Sequence, residues 1–154
     1  LAKDNGVKIA VSLSDPFVLA VFGDALRAVI GGGVDLIFCN KDEAMAFTGM
    51  DTLDAAAEEI KQYTKTFAIT DGANGAITFD GNETNQSKGV EAKAIDTNGA
   101  GDMFAGAFLY AITSGRDYTW AANLANDCAA RVVERFGPRL EASEFNVIKA
   151  KFGL

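Results

Sequence analysis

Apolar positions along the chain follow two rhythms. Residues 36–39 are an unbroken apolar run, the mark of a strand buried on both faces, and residues 67–70 predict another buried strand. Between such runs, apolar residues recur every three or four positions, the period of a helix. Residues 7–13 form a β-rich run leading into Ser14-Asp15-Pro16, where Asp15 reads as a helix N-cap and Pro16 as the first helical residue. That helix carries Phe17, Val21, Ala25, Leu26, Val29 and Ile30 and stops at Gly31-Gly32-Gly33. Asn40 caps a second helix ending near Gly49, and Leu53, Ala56, Ala57, Ile60 and Tyr63 mark a third. Residues 76–80 predict a strand turning at Asp80-Gly81, and residues 90–94 another. From Gly99 a helix apolar nearly all round is expected to be buried. Ala121, Ala125, Cys128 and Val132 mark the next helix, and Phe145 and Ile148 a last short one. Strands alternating with helices predict an α/β fold with a mostly parallel sheet. Ligands in such sheets bind beyond the carboxyl ends of the strands, so the strand-to-helix turns should carry the chemistry.

Composition narrows the chemistry. The 154 residues suffice for one domain, and their formal net charge of −7 disfavours nucleic acid or an anionic membrane as partner. No histidine is present, which removes every Ser-His-Asp, Cys-His and His-ligated metal site. Cys39 and Cys128 both lie in apolar runs and predict two core thiols in a reducing, cytoplasmic setting. No apolar run approaches the ~18 residues of a membrane span. Residues 1–6 read as the tail of a helix ending on a glycine cap, so the chain is expected to be part of something longer.

One turn stands out. Asp96-Thr97-Asn98-Gly99-Ala100-Gly101-Asp102 precedes the most apolar helix. Small residues let a ligand approach the backbone, and free amides of a first helical turn bind anions. Asp102 in that turn is placed to take a proton from an attacking hydroxyl. A dinucleotide fingerprint needs glycine where Phe104 stands, and a P-loop needs Lys-Ser/Thr where Ala107-Phe108 stand. A dinucleotide-binding oxidoreductase is therefore disfavoured. A glycine-rich cap that lets the helix pack closely is the competing structural reading.

The heptapeptide, with Met103-Phe104-Ala105-Gly106-Ala107-Phe108 after it, resembles the signature of the ribokinase, or PfkB-type, carbohydrate and nucleoside kinases. Three further segments are similar to the family's, in the same order. These are Asn40-Lys-Asp-Glu43 (Asn-x-x-Glu), Thr70-Asp-Gly72-Ala-Asn-Gly75 (a nucleotide loop) and Asn126 to Gly137 (the helix beside the adenine pocket). Ser12-Leu-Ser-Asp-Pro-Phe17 looks more like the adenosine-kinase branch. The resemblance implies a ribokinase-like three-layer αβα fold. Residues 1–154 would be its C-terminal, ATP-binding and catalytic half, with the N-terminal half and lid missing as partner. It implies transfer of the γ-phosphoryl of ATP to a primary alcohol of a sugar or nucleoside. A catalytically silent nucleotide-binding or regulatory relative is the alternative.

By the same resemblance, Asp102 is the catalytic base and the amides of Gly99, Ala100, Gly101 and Asp102 form an anion hole. Asn40, Thr70, Gly72, Gly75, Gly101 and Asn126 would contact the nucleotide. Asn-x-x-Glu is also a helix capping box, and spacing alone favours that reading of Asn40 and Glu43. The resemblance instead places Glu43 near Mg²⁺, acting through water because Mg²⁺ keeps most of its hydration. Asp96 reads equally as a turn residue bonding its own backbone; the resemblance puts it, with the Asn98 carbonyl, at a site for a monovalent cation such as K⁺. Asp71 departs from the pattern by placing an acid near the phosphates. A parallel sheet lacking its neighbouring strands exposes an apolar edge, so self-association is expected.

Overall fold

In the computed structural model, which describes residues 1–154, the strand–helix alternation is realised as five strands and six helices. They divide into two compact units, residues 1–71 with 77–84, and residues 72–76 with 85–154.

The first unit begins with strand β1 (Ala10–Ser12) and helix α1 (Pro16–Ile30), followed by β2 (Val34–Asn40) and α2 (Lys41–Thr48). It continues with α3 (Leu53–Ile60) and β3 (Thr64–Thr70). The predicted caps hold. Asp15 accepts from the Phe17 amide at 2.6 Å with Pro16 in the first turn. Gly49, at φ +74°, closes α2 by donating its amide to the Met45 carbonyl at 2.8 Å. α3 stops at Ile60, one turn before the helical period of its apolar residues does. Tyr63 therefore lies in the following turn, with its ring edge-on to Phe47 at 4.9 Å. β1, β2 and β3 are parallel, with Ala10 beside Leu36 and Asn40 beside Thr70. Ile30, Ile37, Ile60, Phe67 and Ile69 are fully enclosed in the core between these strands and helices.

The sheet order is β1–β2–β3–β4–β5, with β4 at Gly75–Phe79 and β5 at Thr84–Lys88. A connection from Thr70 to Gly75 is too short for a parallel crossover, so β4 runs back along β3. The next turn is built on Asp80, whose carboxylate accepts from the amides of Asn82 and Glu83, both at 2.8 Å. The sheet is mixed and mostly parallel. At its other edge, α1 turns Phe17, Val21, Phe22 and Val29 outward, all more than half exposed.

Two expectations need correction. Residues 90–94 are not a strand; the strand is β5, whose sequence Thr-Asn-Gln-Ser-Lys carries no apolar alternation. The segment after Gly89 leaves the sheet, and its polar backbone groups bond to α5 instead, with the Ile95 amide donating to the Val133 carbonyl at 2.6 Å. Helix α4 (Ala100–Thr113) is not buried all round, since only Phe104, Phe108 and Ala111 are enclosed. The helix buried along most of its length is α5 (Tyr118–Val133), where Ala121, Ala122 and Ala125 let neighbours come close. Helix α6 (Ala142–Phe152) docks through Ile148 and an ionic cluster on α5. No helix is long and apolar enough to cross a membrane.

Candidate active site

The predicted turn is built around one carboxylate. Asp96 accepts from the Asn98 amide at 3.0 Å through Oδ1 and from the Gly137 amide at 3.1 Å through Oδ2. These two bonds, that of Asn98 foremost, hold its carboxyl below the usual range. They satisfy the turn-residue reading and leave lone pairs over for a cation. Across the turn, Gly99 sits at φ +78°, and a Cβ there would lie 2.3 Å from the Cβ of Pro138. Only glycine fits.

Gly101 is different. A Cβ there would meet nothing within 4 Å. Helix packing therefore does not require this glycine, which leaves an open approach to the backbone. The first turn of α4 has no side-chain cap. Its Ala100 amide is engaged by the Thr97 carbonyl at 3.3 Å, whereas the amides of Gly99, Gly101 and Asp102 have no backbone acceptor. Of the four amides expected to meet an anion, three are thus free of a backbone acceptor. Asp102 is exposed beside them, at the mouth of a cavity of about 560 Å³ between α4, α5 and α6. Met103, Gly106, Ala107, Leu124 and Cys128 give it an apolar wall. Cys128 is a free, buried thiol whose pKa is pushed up to about 11 by burial and by the charge of Asp127.

Of the other candidates in this unit, Gly75 and Asn126 have packing partners and Gly72 does not. Gly75 (φ +102°) and Gly89 sit where backbones nearly touch. A Cβ on Gly75 would be 2.1 Å from the Ser87 carbonyl, and one on Gly89 equally close to that of Ala73. Gly72 (φ +53°) faces open space. Asn126 is buried and donates through Nδ2 to Ser87 Oγ and to the Lys88 carbonyl, both at 3.0 Å. Ser87 Oγ in turn donates to the Ala76 carbonyl at 3.2 Å, so the 72–76 loop, β5 and α5 share one network. Gly89 and Ser87 carried no motif in the sequence. Asp127 lies in the Asn126–Gly137 segment but was given no role there; it is buried and bridges Arg131 Nε at 3.0 Å and Lys151 Nζ at 2.5 Å, tying α6 to α5. Burial alone would raise its pKa, but the two cations hold it below the ordinary value.

In the first unit, Asn40 and Thr70 are paired at the carboxyl ends of β2 and β3. Asn40 and Glu43 form the full capping box. Asn40 Oδ1 accepts from the Glu43 amide at 2.8 Å, and Glu43 Oε2 accepts from the Asn40 amide at 2.9 Å. A further bond runs from Asn40 Nδ2 to Glu43 Oε1 at 2.9 Å. Glu43 is buried, which raises its pKa, while its bond from Asn40 works in the opposite direction. Asp71 faces Lys41, the two charges 3.7 Å apart. The departure from the family pattern is therefore neutralised locally. Ser14 at φ +70° is the only non-glycine residue with positive φ, in the turn leading from β1 to α1. No group of three or more acidic, cysteine or histidine side chains converges as a ready-made metal cage.

The pattern of the pfkB family carbohydrate kinases matches residues 1–144. The chain belongs to that family. Among its pfkB relatives, adenosine kinase of Saccharomyces cerevisiae (strain ATCC 204508 / S288c) is 30% identical over 161 residues, covering 96% of this chain and 47% of the relative. The solved adenosine kinase of Sinorhizobium meliloti superposes with a TM-score of 0.90 at 30% identity, covering 97% of this chain and 46% of its own. A fructokinase double mutant from Vibrio cholerae O395, bound to fructose, ADP and potassium ion, gives a TM-score of 0.74 at 25% identity. That match covers 89% of this chain and 47% of the fructokinase. The chain thus has the ribokinase-like αβα fold and spans about half the length of the relatives it matches.

Proposed function

We propose that residues 1–154 form the ATP-binding and catalytic half of a pfkB kinase that transfers the γ-phosphoryl of ATP to a primary alcohol of a sugar or nucleoside. The observation that carries this reading is the contrast between the two glycines of the α4 turn. Gly99 is required by its fit against Pro138, but Gly101 borders open space that no neighbouring atom occupies. A turn shaped only for packing has no need of that second glycine.

In the proposed reaction the acceptor hydroxyl gives its proton to the Asp102 carboxylate as its oxygen attacks the γ-phosphorus. The bond from that phosphorus to the bridging oxygen breaks, and ADP leaves with the bond's electron pair. Charge on the moving phosphoryl oxygens is met by the fixed amides of Gly99, Gly101 and Asp102, donors that need no reorganisation during the reaction. Gly72 offers open backbone at a second loop, and Thr70 ends the strand before it. Asn126 braces that loop through Ser87.

Mg²⁺ fits one feature of this chain: a single buried carboxylate, Glu43, suits an ion that keeps most of its water and takes its remaining ligands from phosphate oxygens. Bound there, the ion would neutralise phosphate charge. A monovalent cation fits Asp96, whose carboxylate is held ionised by two amides, together with the Asn98 carbonyl.

The test is ATP-dependent phosphorylation by the full-length protein against a panel including ribose, fructose, adenosine and inosine, read as ADP release and as the phosphorylated product. ATP binding without turnover on any acceptor would favour the silent, nucleotide-binding alternative.

A further inference from the structure

At the opposite end of β2 and β3 from Asn40 and Thr70, a cavity of about 670 Å³ opens among the residues where those strands begin. Four lysines line it, Lys3, Lys8, Lys61 and Lys65, with Gly32, Gly33, Gln62 and Thr64 between them. One carboxylate, Asp35, shares the lining. In a chain of net charge −7 this is a concentrated patch of positive charge. Two of the cations are ion-paired, Lys65 with Asp35 at 2.8 Å and Lys61 with Glu58 at 2.6 Å, so the excess positive charge comes from Lys3 and Lys8. Lys3 donates to the Gly32 carbonyl at 2.8 Å, which fixes its position without cancelling its charge. Lys8 donates to no protein acceptor, although its charge is felt by Asp35.

β2 and β3 each run seven residues from this cavity to Asn40 and Thr70, a span of roughly 20 Å at strand rise. The cavity is therefore separate from Asn40 and Thr70. Its volume suits a small molecule and exceeds what one phosphate or carboxylate would fill. Lysines act here as adjustable point charges, without the planar fork by which arginine selects one oxyanion geometry. We propose that this cavity binds a small polyanion carrying two or more phosphoryl or carboxylate groups, held by Lys3, Lys8, Lys61 and Lys65.

The experiment is residue-resolved lysine acetylation of the intact protein, followed by mass spectrometry, with pyrophosphate, citrate or NaCl at equal ionic strength. Reading each lysine separately keeps anions bound at the α4 turn from being mistaken for occupancy here. With ligand at about ten times its dissociation constant, acetylation of Lys8 and Lys65 is expected to slow about tenfold, while exposed Lys88 and Lys93 are unaffected. Stronger protection by pyrophosphate assigns the cavity to phosphoryl groups, and stronger protection by citrate to carboxylates. In Lys8→Gln the protection of Lys65 should weaken. The proposal is overturned if neither anion protects Lys8 and Lys65, if all lysines slow together, if NaCl protects equally, or if Lys65 stays fully protected in Lys8→Gln.

Discussion

The carboxylate of Asp96 is tied to the amide of Gly137, 41 residues further along the chain, at 3.1 Å. That bond seats the loop before α4 against the loop after α5, where Pro138 meets Gly99. The α4 turn is thereby positioned by a segment outside its own motif.

This tie should be visible as acid sensitivity. Amide bonds from Asn98 and Gly137 hold the Asp96 pKa below its unfolded value of about 3.9. Its stabilising contribution is fully present above that unfolded value and is lost as pH falls through the lower, folded one. Asp96→Asn should therefore melt below wild type from pH 5 to 8, and the gap should narrow as pH falls below about 4. Melting curves across that range check it. A gap independent of pH would remove the ionised carboxylate from the argument.

Glu43 has the opposite sign. Burial raises its pKa above the unfolded value of about 4.3. Its contribution is greatest below that value and falls as pH rises through the folded one. Both carboxylate oxygens accept from Asn40, so Glu43→Gln sets an NH₂ group against one of two donors. Loss of that bond costs about 0.5–1.5 kcal/mol, partly offset by removing a buried charge. On the proposed function, the variant also needs more Mg²⁺ for half-maximal turnover. A lower melting temperature with unchanged Mg²⁺ dependence would assign Glu43 to the cap alone.

The α4 turn, the caps of α1 and α2, and most of the order of strands and helices were legible because each rests on local rules. N-cap residues, glycine stops and apolar periods act within a few residues. What stayed hidden depends on distant partners. β5 is a polar strand held by its neighbours in the sheet, so no alternation announces it. Val90 and Ile95 look like strand residues but lie in the segment that leaves the sheet for α5. α4 is apolar on a face that lines a cavity, and apolarity alone does not distinguish such a face from a packed one. Gly75 sits in a loop whose motif suggested a ligand, yet its conformation is demanded by the Ser87 carbonyl.

Asp127 was equally hidden, because its partner Lys151 is 24 residues away. Asp127→Ala leaves Arg131 and Lys151 unpaired; both reach solvent, so the expected loss is about 1–3 kcal/mol, below that of a fully buried pair. The loss should concentrate in α6. Limited proteolysis is expected to cut residues 142–152 earlier in the variant, alongside a lower midpoint in urea. Unchanged cleavage there would show that α6 is held by its other contacts, Ile148, the Trp120–Phe152 ring pair and Arg135–Glu144, without Asp127.

The two glycines of the α4 turn should separate folding from binding. Gly99→Ala forces a side chain into φ +78°, costing about 1–2 kcal/mol, and also drives it into Pro138. Gly101→Ala meets no atom and should leave stability unchanged or raise it by about 0.5–1 kcal/mol. On the proposed function it nevertheless blocks the approach to the backbone, so ATP affinity falls. Melting temperature and ATP titration on both variants decide it. A Gly101→Ala protein that binds ATP like wild type would return the turn to a purely structural role.

Asp102→Asn tests the chemistry most directly. Asparagine is nearly isosteric and leaves the amides of Gly99, Gly101 and residue 102 in place, so ATP should bind as well as before or more tightly. It cannot accept the acceptor's proton, and turnover should fall by on the order of 10²–10⁴. If Asp102 instead serves only the helix dipole, the same change removes a favourable charge from the first turn of α4, lowering the melting temperature and sparing the rate. Asp102 is exposed and lies within no ion pair, so the fold should tolerate the change. ATP affinity, melting temperature and turnover, measured together on the full-length protein, separate the two. A folded, ATP-binding and nearly inactive variant supports the base. Turnover within about threefold of wild type falls far short of the loss expected for a general base and excludes it.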